Sequence, residues 1–94
     1  MMPAPDRNAF VARTVDWINR TLVPEGVTVD ADTPLFANGL INSIRILEII
    51  AWTERATGRR IPDAAIRMDN FRTVRRIADV FCATEDTGGS DVAA

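Results

Sequence analysis

Ser43 is the residue in this 94-residue chain whose placement most suggests chemistry. It stands in Leu35-Phe36-Ala37-Asn38-Gly39-Leu40-Ile41-Asn42-Ser43-Ile44, where a glycine-containing loop runs into a strongly apolar segment. A serine at that junction sits at the electropositive start of a helix, where the first backbone N–H groups have no helical partner and favour a phosphate ester. Its hydroxyl attacks a carbonyl only if a base takes the proton. The chain has no His, Lys or Tyr, and all 11 of its basic residues are arginine, so self-contained acid–base catalysis is not expected. Cys82 is the one thiol, which excludes an internal disulfide and a multi-cysteine metal site and is read as a core residue. Taken alone, Asn42-Ser43 reads as a pair of helix caps, and Ser43 as a passive attachment point rather than a nucleophile.

The elements that must position Ser43 follow from periodicity. Asp6 or Asn8 can cap a first helix over about 7–22, with Phe10, Val11, Thr14, Trp17, Ile18 and Leu22 on one face and Pro24 and Gly26 beyond its end. Val27 to Asn42 carries Asp30, Asp32, Pro34, Asn38 and Gly39 and reads as a long loop pinned by Val27, Val29, Leu35, Phe36 and Leu40. So long a loop in so small a chain points to function. Asn42 caps a second helix over about 43–57, stopped by Gly58. A short helical turn is expected over 63–68, and Thr73 caps a last helix over 73–82 with Val74, Ile77, Ala78 and Phe81 as its stripe. The expectation is an all-α four-helix bundle over 1–82 with a short third helix, followed by a flexible C-terminal tail at 83–94.

The second helix is apolar around most of its circumference. Ile46, Leu47, Ile49 and Ile50 share a broad arc read as core, whereas Ile44, Ala51 and Trp52 fall on the other side, to be covered by the long loop or left as a docking surface beside Ser43. Ile44, Leu47, Ala51 and Trp52 are the residues expected to meet a partner.

Charge and composition set further bounds. A hydrophobic fraction of 47% with 26% charged residues is a globular balance. The net charge of −2 becomes +1 without Glu85, Asp86 and Asp91 of the tail. Between 59 and 76, six arginines (Arg59, Arg60, Arg67, Arg72, Arg75, Arg76) face Asp63 and Asp69, a net +4. This is either a solvated face with local ion pairs or a surface for an anionic partner. Nucleic acid is disfavoured because no interleaved aromatics or binding motif accompany the arginines. No apolar run reaches membrane-spanning length and the N-terminus lacks a signal-peptide pattern, so a cytoplasmic, monomeric protein is expected.

The segment Thr33–Ile44 resembles the phosphopantetheine attachment region of acyl carrier and peptidyl carrier proteins. Leu35, Phe36, Gly39 and Ser43 match that pattern, and Asp69-Asn70-Phe71-Arg72-Thr73-Val74-Arg75-Arg76-Ile77-Ala78 is similar to the family's third-to-fourth helix junction. The resemblance covers roughly 10–82 and implies the same four-helix bundle. It implies that Ser43, flanked by Gly39, Asn42 and Ile44, receives phosphopantetheine from coenzyme A through a separate phosphopantetheinyl transferase. The protein is then a non-catalytic carrier of an acyl or aminoacyl thioester, served by a loading ligase or acyltransferase and by downstream biosynthetic enzymes. Family members usually have Asp before the serine and Leu or Met after it. Asn42 keeps the cap without the charge the transferase reads, and Ile44 is a conservative change. The second helix is charge-balanced, with Arg45 and Arg55 against Glu48 and Glu54, where fatty-acid carriers tend to be strongly acidic. This favours a discrete carrier in specialised biosynthesis of the polyketide or nonribosomal peptide type. The alternatives are a housekeeping fatty-acid carrier and an unmodified interaction module that keeps the fold.

Overall fold

The computed structural model describes residues 6–82. Its regular elements, all helical, are α1 (Arg7–Thr21), α2 (Ile46–Thr57) and α3 (Val74–Phe81), with short 3-10 turns between them. α1, α3 and the 3-10 turn Ser43–Arg45 that leads into α2 each start where a short polar side chain accepts from an otherwise unpaired amide. Asp6 accepts from the Ala9 amide, Asn42 from the Ile44 amide and Thr73 from the Arg76 amide. α2 stops at Gly58, whose φ of 72° is the left-handed conformation open to glycine.

The apolar stripes meet in one core. Phe10, Ile18 and Leu22 of α1 and its extension, Ile49 of α2, and Val74, Ile77 and Ala78 of α3 are all buried. Thr14 and Thr53 are buried as well. Each has its hydroxyl engaged, Thr53 donating to the Ile49 carbonyl at 2.8 Å and Thr14 accepting from the Trp52 indole at 2.9 Å, as burial of a polar group requires. Cys82 is buried at the end of α3.

The long loop between α1 and α2 is held by hydrogen bonds to both neighbouring helical regions. Asn19 of α1 clamps Val29 through both its backbone groups, at 2.8 and 3.1 Å. The Leu35 amide donates to the Arg72 carbonyl at 2.8 Å, and the Arg75 amide to the Ala31 carbonyl at 2.9 Å. Arg75 also grips Asp32 with two bonds, at 2.6 and 3.0 Å, which lowers the Asp32 carboxyl pKa. Val29, Leu35 and Ile41 are the loop's buried anchors.

Two expectations are corrected here. The short helix expected at 63–68 is instead two 3-10 turns, Asp63–Ala65 and Met68–Phe71, separated at Ile66 and Arg67, where the backbone leaves the helical region. Ile66 and Met68 are two residues apart and cannot share a helix face, and so short a segment does not offset the cost of helix nucleation. Leu47, placed on the core arc as well as among the residues expected to meet a partner, is not core: it is 65% exposed, because α2 turns Ile49 rather than Leu47 inward. The tail expected at 83–94 lies outside the described residues.

Candidate functional site

Ser43 opens a 3-10 turn, Ser43–Arg45, that continues into α2. The approach to it is shaped by two successive left-handed residues, Asn38 (φ 57°) and Gly39 (φ 73°). Asparagine is among the few side chains that tolerate this conformation, and glycine adopts it without strain. A Cβ at Gly39 would meet no atom within 4 Å, so the requirement there is conformational rather than steric. The chain then folds back, with the Ile41 amide on the Leu35 carbonyl at 3.1 Å and Ile41 buried. With Ile41 fixed inside and Asn42 capping Ile44 at 3.0 Å, Ser43 projects to solvent. Its hydroxyl forms no hydrogen bond among the described residues, so no described side chain is aligned on it as a base.

The residues expected to flank Ser43 divide. Ile44 is 69% exposed and Leu47 lies one turn further along the same face. Ala51 continues that stripe and is half-buried. Trp52 does not belong to it. Its ring stacks on Trp17 of α1 with centroids 4.6 Å apart and planes within 8°, and its indole N–H is committed to Thr14. The structure therefore brings Ile44, Leu47 and Ala51 together and places Trp52 between the helices.

The charged side chains of α2 are largely engaged. Arg45 pairs with Glu48 at 2.7 Å, and Glu54 accepts from the Ile61 amide at 2.8 Å, pinning the chain that leaves the helix. The exposed acidic face that a charge-seeking partner would need is absent from this helix.

Ile66 and Met68, 39% and 44% exposed, were not singled out in the sequence. Met68 lines a cleft of ≈ 400 Å³ with Pro34, Phe36, Ala37, Asp69 and Arg72, joining the upstream part of the Ser43 motif to the second 3-10 turn. Their lack of helical spacing was the signal: apolar residues out of phase with any helix have no stripe to join. The described residues hold no group of acidic, cysteine or histidine side chains able to bind a metal. No described helix is long and apolar enough to cross a membrane.

The residues around Ser43 fit a covalent phosphopantetheine. The hydroxyl is exposed and uncommitted, it stands at a helix start, and the stripe beside it is apolar. Comparison with known families gives a match to the model described as phosphopantetheine attachment site over residues 17–81. No curated protein and no solved structure matches the chain. The matched region takes in the long loop, α2 and α3, and members of this family carry a covalently attached phosphopantetheine and work with a phosphopantetheinyl transferase and biosynthetic enzymes. With that match spanning most of its length, the chain belongs to the phosphopantetheine attachment site family, as its resemblance to acyl and peptidyl carrier proteins implied.

Proposed function

We propose that this protein is a non-catalytic carrier in which Ser43 bears the phosphopantetheine. The observation that carries the reading is an exposed serine with no hydrogen bond among the described residues, opening the 3-10 turn that leads into α2, inside the matched family region. The group supplies a thiol that holds an acyl or aminoacyl unit as a thioester. The chain's own part is positional. Ile41 and Asn42 fix the backbone on one side of Ser43, α2 extends on the other, and the helix start favours the phosphodiester charge. A unit tethered there meets each partner at raised effective concentration. The base that activates the hydroxyl comes from the transferase.

Specialised biosynthesis is the pathway class we favour. The acids of α2 are spent on Arg45 and on the Ile61 amide, so partners that seek an acidic helix gain little from it. Incubation with coenzyme A and a broad-specificity phosphopantetheinyl transferase, followed by intact mass, tests the carrier reading. One added phosphopantetheine is expected, and an unchanged mass with several transferases would favour an unmodified interaction module. Parallel loading by a fatty-acid acyltransferase and by adenylating ligases tests the pathway class, with preference for the former counting against it.

Ile44 and Leu47 are the side chains we assign to partner contact. Leu47→Glu is expected to change stability by no more than about 0.5 kcal/mol, since the side chain is exposed, and to slow loading about tenfold, the effect of losing an interface anchor worth ~1–2 kcal/mol. Trp52→Glu should behave oppositely, costing about 3 kcal/mol or more by placing a carboxylate between α1 and α2. Urea unfolding with loading assays on folded protein separates them; a Leu47→Glu protein that unfolds would remove Leu47 from the surface.

The buried Cys82 supplies an independent readout. Burial raises its thiol pKa, and the positive charges of Arg59 and Arg7 only partly oppose this. Because the folded pKa is raised, the associated stability is present below the ordinary thiol pKa and declines as pH climbs above it. A disulfide reagent near neutral pH should find almost no reactive thiol in the native unmodified protein and one after modification, rising to one and two in denaturant. A reactive thiol in the native unmodified protein would show that Cys82 is not buried.

A further inference from the structure

Six arginines, Arg7, Arg20, Arg45, Arg72, Arg75 and Arg76, each hold an acid of the domain. Arg13, Arg55, Arg60 and Arg67 are exposed and form no ion pair among the described residues. All of these but Arg67 border one stretch of surface between α1 and the later half of α2. Arg13 and Arg55 share a hollow of ≈ 150 Å³ with Trp52 and Ala56. Arg13, Trp52 and Ala56 also line a hollow of ≈ 120 Å³ on the α1 side, and Arg55 and Arg60 line one of ≈ 340 Å³ at the end of α2.

The acids on these walls are already engaged. Asp6 accepts from the Ala9 amide and Glu54 from the Ile61 amide, and the hollow between Arg13 and Arg55 is lined by no acid. Two guanidinium groups around one such hollow repel each other, and a carboxylate seated between them replaces that repulsion with two attractions. The dipole of α2 accounts for a cation at Arg55, in its last turn, but not for Arg13 in the middle of α1. The hollow is smaller than the roughly 300–1,000 Å³ of a small-molecule site, and its size suits the end of a Glu or Asp side chain. Ala51 ties this stretch to the surface beside Ser43, since it continues the stripe of Ile44 and Leu47 and also lines the hollow of Arg55 and Arg60.

We propose that Arg13 and Arg55, with Arg60 at the rim, form a docking site for an acidic segment of a partner protein, with a carboxylate held between Arg13 and Arg55. A partner lying on the Ile44 and Leu47 stripe brings its next residues onto these guanidinium groups; this continuity rests on the assignment of Ile44 and Leu47 to partner contact, whereas the charge recognition does not require Ser43 to be modified. An apolar stripe that ends in cations fits an amphipathic protein segment with acids at one end. A nucleic-acid strand would follow a basic track without the apolar lead.

NMR of the isotope-labelled, unmodified full-length chain tests this against three probes: a synthetic helical peptide with Leu and Glu on one face, its counterpart with Lys for Glu, and oligouridine. At about 0.01 M ionic strength, where charges act over about 30 Å, the Glu peptide should shift the Trp52 indole N–H and the Nε–H groups of Arg13, Arg55 and Arg60. It should bind about tenfold or more tightly than the Lys peptide. Arg13→Glu together with Arg55→Glu should invert that preference, and Arg67→Glu, a charge reversal away from these hollows, should keep it. If the doubly reversed chain loses the core signals of Ile49 and Phe71, Arg13→Gln with Arg55→Gln should abolish the preference instead. Equal binding of the two peptides, tighter binding of oligouridine, or loss of the preference in Arg67→Glu would overturn the proposal. None of these readings involves phosphopantetheine, so a failure of the carrier assignment shows separately, as an unchanged mass after incubation with the transferase.

Discussion

Ser43→Ala should abolish phosphopantetheine addition completely while leaving the fold untouched. The loss is total because no other group of the described chain offers an uncommitted hydroxyl at the start of α2, and only one further serine, Ser90, exists in the sequence. Stability should move by no more than about 0.5 kcal/mol, the range for exposed positions, because the cap of this helix start is Asn42 and not Ser43. Asn42→Ala, by contrast, should cost about 1 kcal/mol through the lost cap. Intact mass after incubation with coenzyme A and transferase reads the first effect, and thermal melting the second. A mass gain that persists in Ser43→Ala would move the attachment elsewhere, with Ser90 the first residue to replace. Asn42→Asp sharpens the same experiment: the carboxylate keeps the cap and supplies the charge that the family usually places before the serine. Modification by a fatty-acid-type transferase should quicken, and the gain should shrink as salt is added, the mark of a steering charge.

What could be read from the sequence was what local chemistry decides. Asp6, Asn42 and Thr73 cap because a short polar side chain reaches an amide two or three residues away, and Gly58 stops α2 because few other residues adopt its φ; neither needs knowledge of the rest of the fold. The stripes of α1 and α3 were legible for the same reason, since each is one-sided. α2 was not, because its apolar residues surround it and periodicity cannot say which arc its neighbours cover. Trp52, expected to meet a partner, turns inward on that account, and Leu47, placed both on the core arc and among the partner residues, turns outward: the Trp17 stack draws Trp52 in, and that contact joins residues 35 positions apart. The Asn19 clamp on Val29 and the Leu35 bond to Arg72 were likewise invisible, being set by how the loop crosses two helical regions. The expected third helix failed where its residues had no shared face.

Phe71→Ala carries the largest expected effect on the scaffold. The ring is wholly buried at the end of the second 3-10 turn and packs on Phe81 with centroids 5.3 Å apart. Removing such a side chain costs about 3–5 kcal/mol through lost transfer energy and the cavity left behind. At roughly 0.05–0.15 kcal/mol per residue, a domain of this size has only about 4–12 kcal/mol in total, so roughly a quarter or more of its stability depends on one ring. The consequence reaches the serine. Arg72, the next residue, accepts the Leu35 amide, and Leu35 in turn accepts the Ile41 amide two residues before Ser43. Loosening Phe71 therefore slackens the chain of bonds that fixes the backbone entering α2. Met68→Ala, on the same turn but 44% exposed, is the control and should shift the urea midpoint little. Comparable midpoints for Phe71→Ala and Met68→Ala would mean that the turn is not an anchor. A Phe71→Ala protein that is destabilised as expected, yet modified at the unaltered rate below its melting temperature, would show that α2 alone holds Ser43 in place.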